Sequence, residues 1–251
     1  MVATISIQDS DLDFDNGTFD SAAFTAQALA SWQALASIID HTLLKPDATC
    51  EQIENLCDQA LRYRFACAMV NPVWVPTAVS VLSGTGIPVG VAIGFPLGAS
   101  LVSTLRQEAA ALIRLGAREL DMVLPIGQLK SGNYHAVEHT IRAVAGVAHH
   151  HGALLKVILE TALFRVDEKL RGAEIAIQSG ADFIKTSTGF VQGGATPADV
   201  ALMRGVAGAR CGVKAAGGIR TLAAVRALLE AGANRIGASA SVAIVRELGA
   251  E

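Results

Sequence analysis

The chain has few aromatic and few charged residues for its length. Aromatic side chains make up 5% of the 251 residues and charged side chains 17%, whereas hydrophobic residues make up 51%. A composition this rich in Ala, Val, Ile and Leu favours helices packed on buried parallel strands. The formal net charge of -3 gives no electrostatic reason to expect a nucleic acid or an anionic membrane as a partner.

Cysteine motifs, a secretion signal and long apolar runs are lacking as well. The four cysteines, Cys50, Cys57, Cys67 and Cys211, form no C-x-x-C pair and no disulfide-framework spacing, which predicts a reducing, cytoplasmic location. The acidic N-terminus has neither the basic nor the apolar segment of a signal peptide. No run free of proline and charge is long enough to cross a bilayer, so we expect no membrane partner.

The first 31 residues differ in composition from the rest. Aspartates alternate there with scattered apolar residues, and an Ala-rich run follows. We predict an acidic and Ala-rich N-terminal extension over residues 1–31, ending in a helix, and one main domain over residues 32–251.

From Ser37 onward, short apolar strands, glycine or polar loops and amphipathic helices alternate. One signature recurs at 116–121, 180–185 and 232–237, where a Gly-Ala helix end precedes a strand whose last residue is polar or glycine. The pattern predicts eight strands, centred on 38–39, 68–70, 89–93, 120–123, 154–159, 183–185, 213–216 and 235–236. It predicts helices after the strands, for example at 51–63, 104–115, 134–151, 166–179, 222–231 and 242–248.

Eight such units predict an α/β fold, a single (β/α)8 TIM barrel whose active site lies at the carboxyl ends of the strands. The alternative is an open, doubly wound sheet. Against that alternative, no G-x-G-x-x-G motif follows the first strand.

The chain has only six lysines, and three of them lie in strand-like apolar runs: Lys156, Lys185 and Lys214. Lysine is seldom buried unless it is paired or kept for chemistry. If the strands are placed correctly, three cations and three carboxylates meet at one mouth: Asp40, Asp121, Lys156, Glu160, Lys185 and Lys214. The alternative for Lys156 is a purely structural ion pair with a neighbouring carboxylate.

A strand lysine acts as a nucleophile only when its amine is neutral. The pKa must then fall from ~10.4 toward ~7, at a cost of roughly 4 to 5 kcal/mol. Lys214, on the strand after Lys185, is placed to supply much of that shift through like charge. Asp121 can hold a water or accept a hydroxyl proton, and it can pair with Lys156 at the same time. A neutral amine that meets a sugar carbonyl forms a Schiff base.

Two glycine-rich turns follow the last two predicted strands, at 217–220 and 237–239. In a TIM barrel this region often binds phosphate through backbone N–H groups, and glycine lets the backbone approach the anion closely. The alternative is that both are turns without a ligand.

Seven ordered motifs over roughly residues 37–246 resemble the deoxyribose-phosphate aldolase family. They are DHTLLKP (40–46), GVAIGFP (90–96), DMV (121–123), LKVILE (155–160), KTSTGF (185–190), VKAAGGIR (213–220) and GAS (237–239). The resemblance implies a class I aldolase, without cofactor or metal, that interconverts 2-deoxy-D-ribose 5-phosphate with acetaldehyde and D-glyceraldehyde 3-phosphate. It implies phosphosugar and aldehyde substrates as partners and leaves a homo-oligomer, a dimer or a tetramer, open.

The resemblance also implies residue roles. Lys185 forms the Schiff base, Asp121 and Lys214 relay protons, and Lys156 joins their hydrogen-bond network. Substrate or phosphate binding is implied for Asp40, Thr42, Thr188, Gly189, Gly217, Gly218 and Ser239.

The sequence departs from the family pattern at three places. Met69 stands where a number of relatives carry a cysteine, and Ala240 stands where some carry a second serine. The residues at 248–251 do not match the tail with a terminal tyrosine that some members have.

Three other hypotheses compete with the aldolase. His135, Glu138 and His139 match the H-x-x-E-H pattern of a zinc peptidase class, but the apolar stripe of their predicted helix turns both histidines toward solvent. A phosphosugar isomerase would use Glu160 as its base and form no covalent adduct. A non-catalytic sugar-phosphate sensor would bind its ligand without needing the amine of Lys185.

Overall fold

The computed structural model describes residues 18–251, and within them eight parallel strands close into a barrel. The strands are β1 (Ile39–Leu43), β2 (Cys67–Val70), β3 (Val89–Ile93), β4 (Glu119–Val123), β5 (Leu154–Ile158), β6 (Phe183–Lys185), β7 (Gly212–Ala216) and β8 (Arg235–Ala238). Each strand pairs with the next along the chain, and β8 pairs with β1. The predicted (β/α)8 TIM barrel is confirmed.

Helices surround the barrel and connect its strands. They are α1 (Ser21–Ala28), α2 (Trp32–Ala36), α3 (Cys50–Tyr63), α4 (Val75–Leu82), α5 (Val102–Arg114), α6 (Ile126–Lys130), α7 (Tyr134–His150), α8 (Val166–Gln178), α9 (Pro197–Ala207), α10 (Leu222–Glu230) and α11 (Ser241–Glu247). Helix α3 shows how the sequence sets such an element. It begins with a capping box between Thr49 and Gln52 and ends at Arg64 in the left-handed conformation. None of the helices in residues 18–251 is both long enough and apolar enough to cross a membrane.

Two helices precede the barrel. Helix α1, capped at its start by Asp20, packs against α10, and α2 packs against α11. Most of the predicted acidic segment lies outside the described residues, so the boundary at residue 31 stays a prediction.

Two of the differences between the predicted and observed strands affect residues expected at the site. Strand β1 begins at Ile39, because Ser37 and Ile38 form a turn, and it extends to Leu43. It includes both Asp40 and Thr42. Strand β5 ends at Ile158, two residues before Glu160, whose φ of 55° turns the chain out of the sheet.

The core has two parts. The larger part lies between the barrel and its helices and is built from aliphatic residues such as Leu120, Val157 and Ile236. The smaller part consists of Leu44, Cys67, Met69 and Ala92, with Phe95 packed against it. Met69, one of the three departures from the family pattern, is therefore a fully buried packing residue.

Candidate active site

Two lysines on adjacent strands share one carboxylate oxygen. Lys185 ends β6, Lys214 lies in β7, and the two residues are register partners. The Nζ atoms of both lysines donate to Oδ2 of Asp121, each at 2.7 Å. The two amines therefore lie within about twice a hydrogen-bond length of each other. The structure thus brings together the three residues for which the sequence implies direct chemical roles.

Lys156, on β5, approaches the same carboxylate from the other side. Its Nζ donates to Oδ1 of Asp121 at 3.0 Å and to Oε2 of Glu119. Asp121 and Lys156 are register partners on adjacent strands, and both are fully buried. Lys156 thus has the ion pair expected of a structural lysine and also touches the candidate catalytic carboxylate.

Arg235 and Glu119, for which the sequence predicts no role, extend the cluster. Arg235 Nε donates to Oδ1 of Asp40 at 2.6 Å, and its Nη2 donates to Oε1 of Glu119 at 2.8 Å. Lys214 donates to Oδ2 of Asp40. The one signal in the sequence was that Arg235 begins a buried strand, as Glu119 does, but their pairing joins opposite sides of the barrel, β8 and β4.

The hydrogen bonds form a closed ring of alternating charge. The ring, which we call the charge ring, runs through Arg235, Asp40, Lys214, Asp121, Lys156 and Glu119, and back to Arg235. Lys185 lies outside the ring and is attached to it only at Asp121. Gly237 of β8 leaves room for this arrangement, because a Cβ there would lie 3.0 Å from Cε of Lys214.

The ring favours the ionised forms of Asp121, Lys156 and Asp40. Burial by itself raises the pKa of Asp121, but the three neighbouring lysines lower that pKa well below its usual range. Burial likewise opposes ionisation of Lys156, yet Asp121, Glu119 and Asp40 raise its pKa well above the usual value. The pKa of Asp40 is also lowered, because Arg235, Lys214 and Lys156 outweigh its burial.

Lys185 is shifted in the opposite direction. Burial is the largest influence and, together with the nearby ammonium of Lys214, lowers the pKa of Lys185 to about 8, although Asp121 works against both. The direction is the one that a nucleophilic amine requires. Burial, however, lowers the pKa of Lys185 more than Lys214 does, although Lys214 was expected to supply much of the shift.

The loops after β6, β7 and β8 carry the residues expected to bind phosphate. Gly217 has a φ of 94°, and a Cβ there would lie 3.6 Å from the Cα of Gly189 and only 3.0 Å from that of Gly194, so the β6 and β7 loops are in close contact. Within the described residues, the backbone N–H groups of Gly189, Gly217, Gly218 and Ser239 donate to no protein atom. Ser239 is exposed. These donors are therefore available to an anion or to solvent.

Glu160 and Thr188 connect the loops that follow β5 and β6. Oε2 of Glu160 accepts hydrogen bonds from the backbone N–H of Thr188, at 3.2 Å, and from its hydroxyl. Oε1 of Glu160 is buried without a partner among the described residues. Thr42, also expected at the site, is half-buried and donates to the carbonyl of Asp40 at 2.8 Å.

The two histidines of the H-x-x-E-H pattern lie away from this cluster. His135 and His139 are exposed on α7, while Glu138 between them pairs with Arg142 at 2.6 Å. The buried side of the helix is formed by Val137, Ile141, Val144 and Ala148, as the apolar stripe predicts.

A family profile described as "DeoC/LacD family aldolase" matches residues 34–247. The chain belongs to this aldolase family. The deoxyribose-phosphate aldolase of Geobacillus sp. (strain WCH70) is 52% identical over 211 residues, which cover 84% of this chain and 94% of that relative. The deoxyribose-phosphate aldolase of Listeria monocytogenes serovar 1/2a is also 52% identical over 211 residues, with the same coverage. The family resemblance stated from the sequence is confirmed.

The aldolase family also includes solved structures with the same barrel. A tetrameric deoxyribose phosphate aldolase from Aeropyrum pernix matches with a TM-score of 0.84 and 34% sequence identity. The match covers 91% of this chain and 96% of that one.

Proposed function

We propose that this chain is a class I aldolase that reversibly cleaves 2-deoxy-D-ribose 5-phosphate to D-glyceraldehyde 3-phosphate and acetaldehyde through a Schiff base on Lys185. The observation that carries the assignment of Lys185 is its shared contact: two buried lysines donate to one oxygen of Asp121, and the pKa of Lys185 is about 8. The substrate is assigned from the family and its deoxyribose-phosphate aldolase members.

The reaction begins with the neutral amine of Lys185 attacking the C1 aldehyde of the open-chain sugar. The carbinolamine takes up a proton and loses water, which leaves a protonated imine that withdraws electrons from the adjacent carbon atoms. Removal of the C3 hydroxyl proton, through a water held by Asp121, then breaks the C2–C3 bond. D-Glyceraldehyde 3-phosphate leaves, and its former bonding electrons remain on the enzyme-bound enamine.

The second half of the reaction returns the enzyme to its starting state. Protonation of the enamine at its terminal carbon gives the imine of acetaldehyde, and water hydrolyses that imine to acetaldehyde and the free amine. We assign the proton relay to Asp121 and Lys214, because Lys214 contacts both Asp121 and Asp40 and lies next to Lys185.

The phosphate anchors the far end of the substrate. We assign it to the N–H groups of Gly217, Gly218 and Ser239, with Gly189 beside them in the β6 loop; Thr42, Thr188 and Asp40 are assigned to the remainder of the sugar. Binding energy from the phosphate positions the reacting carbon over Lys185.

The isomerase hypothesis has less support from the geometry. One oxygen of Glu160 is already occupied by the backbone and hydroxyl of Thr188, which fits a role in holding the β6 loop. A sensor would have no need for an amine with a lowered pKa.

Cleavage of deoxyribose 5-phosphate, followed by acetaldehyde detection, tests the proposal. The wild type should form acetaldehyde, and Lys185→Ala should lose about 1,000-fold or more in kcat because the covalent path is removed. Lys130→Ala is the matched control, since Lys130 is exposed on α6 and should keep full activity. A Lys185→Ala variant as active as the control would contradict the proposal.

The oligomeric state and the cellular location of the enzyme are also part of the proposed function. We propose a homo-oligomer, supported by the tetrameric relative from Aeropyrum pernix, and a cytoplasmic location, supported by the spacing of the cysteines. Light scattering of the purified chain measures the first directly.

A further inference from the structure

The proposed mechanism uses Lys185, Asp121 and Lys214 but gives no task to Arg235 or Glu119. Both are nearly inaccessible to solvent, with relative exposures of 6% and 3%. A buried arginine and a buried glutamate are costly to keep unless their pairing serves the fold or the site. Here they bond to each other across the barrel, and each also bonds to a member of the cluster.

The number of carboxylates to which each cation donates a hydrogen bond separates Lys185 from the others. Lys156 also lies 3.6 Å from Oδ2 of Asp40, as an ion pair without a hydrogen bond. Each of the three ring cations donates to two carboxylates: Arg235 to Asp40 and Glu119, Lys214 to Asp40 and Asp121, and Lys156 to Asp121 and Glu119. Lys185 donates to Asp121 alone, which it shares with two other lysines. With every group ionised, the ring is neutral, and Lys185 carries the one charge in excess.

We propose that Arg235 and Glu119 are positioning residues for Lys185: by closing the charge ring, they commit each of its three carboxylates to another cation and leave the Lys185 amine as the one that gives up its proton. This inference rests on the proposed function, because it explains how the proposed nucleophile becomes neutral.

Two chains of hydrogen bonds carry the effect of Arg235 to Asp121. One passes through Asp40 and Lys214, and the other through Glu119 and Lys156. Without Arg235, the ring opens at both carboxylates, the six positions carry one net negative charge, and the ammonium form of Lys185 balances it. Without the charge of Glu119, the ring has a positive excess, and a protonated Lys185 is disfavoured further.

Few other ionisable groups face Lys185. Within the described residues, the hydrogen-bonded cluster around Lys185 consists of the six ring members. Cys67 lies beside Asp40 and Glu119, and Glu160, which follows β5, bonds to Thr188. Burial and the nearby carboxylates raise the pKa of the Cys67 thiol well above its usual value, so the thiol stays neutral where Lys185 titrates. The charges of the ring members therefore decide the pH at which Lys185 loses its proton.

Reductive trapping of acetaldehyde with cyanoborohydride measures the effect without the phosphate site. The rate of adduct formation on Lys185 should rise with pH through the pKa of that amine. Arg235→Gln should move this rise to higher pH by about 1 unit, and Glu119→Gln should move it to lower pH by about 1 unit. A shift of this order is expected when one charge linked to Lys185 through the ring is removed at an effective dielectric constant of about 20.

Charge compensation provides the sharpest comparison. The double variant Arg235→Gln/Glu119→Gln restores the charge balance. Its pH profile, the rate of adduct formation against pH, should return toward that of the wild type. Arg235→Lys keeps the charge and should leave the profile in place. Arg204→Gln is the matched control, because Arg204 is also a buried arginine but bonds to carbonyl and amide oxygens. It should lower stability without moving the profile.

The possible results separate this inference from the proposed function. No adduct on Lys185 in the wild type would refute both. An adduct that forms with the same pH dependence in all the variants would refute the role of Arg235 and Glu119 alone. Shifts of the same sign in the two single variants would also refute it, because a general loss of packing cannot produce opposite shifts.

Discussion

Replacing Lys185 with methionine should stabilise the fold while it removes the proposed chemistry. The side chain of Lys185 is 4% exposed, and the pKa of its amine falls from 10.5 to about 8 in the folded chain. Below the lower value the amine is charged in both states, so the shift costs the folded state about 3 kcal/mol. Methionine fills similar space without the charge, and Asp121 keeps Lys156 and Lys214 as partners. We expect a gain of about 2 to 3 kcal/mol in the free energy of unfolding at neutral pH.

The gain in the free energy of unfolding of Lys185→Met depends on pH. Between the folded pKa of about 8 and the unfolded pKa of about 10.5, the unfolded state binds more protons, so the wild-type chain becomes more stable as the pH rises. The methionine variant lacks this contribution. Its advantage should therefore be full below about pH 8 and should fade as the pH rises toward about 10.5.

Urea unfolding of two matched variants tests the prediction. Lys156→Met removes a cation from within the charge ring and leaves Glu119 and Asp121 short of a partner, so it should lower the free energy of unfolding by about 3 to 5 kcal/mol. Lys130→Met, on exposed α6, should change it by less than about 1 kcal/mol. If Lys185→Met lowered stability as much as Lys156→Met, the view of Lys185 as the cation in excess would be wrong.

Three further predictions follow from the site. Glu160→Ala should release the β6 loop and raise the KM for deoxyribose 5-phosphate about tenfold, with a smaller effect on the KM for unphosphorylated deoxyribose. Steady-state kinetics measure both KM values, and an equal rise in the two would contradict this prediction. Gly237→Ala should crowd Lys214 and lower stability by about 1 to 3 kcal/mol together with kcat, and unchanged kcat would count against the tight fit at β8. His139→Ala should keep wild-type kcat because the residue is exposed on α7, and loss of activity would revive the metal hypothesis.

The barrel and the two neighbouring site lysines could be predicted from the sequence for a definite physical reason. Burying lysine in an apolar strand is costly, so Lys185 and Lys214 stood out against their neighbours. The alternation of short strands, glycine turns and helices gave the order of the elements, and parallel strands with such connections place their carboxyl ends at one face.

Arg235 and Glu119 could not be found in the same way. Each begins its strand, and β4 and β8 lie on opposite sides of the barrel, so their contact depends on how the closed sheet is staggered. Local periodicity contains no information about that stagger. The left-handed backbone of Glu160 was equally hidden, because glycine and asparagine are the residues that ordinarily signal such a turn.

The central claim is that Lys185, rather than Lys214, is the amine that reacts. Treating the protein with acetaldehyde and borohydride, followed by peptide mass spectrometry, distinguishes the two, because they lie in different peptides. We predict one reduced two-carbon adduct, on the peptide that contains Lys185, and none on that peptide in Lys185→Ala. An adduct on Lys214 in the wild-type protein, or no lysine adduct at all, would contradict the account.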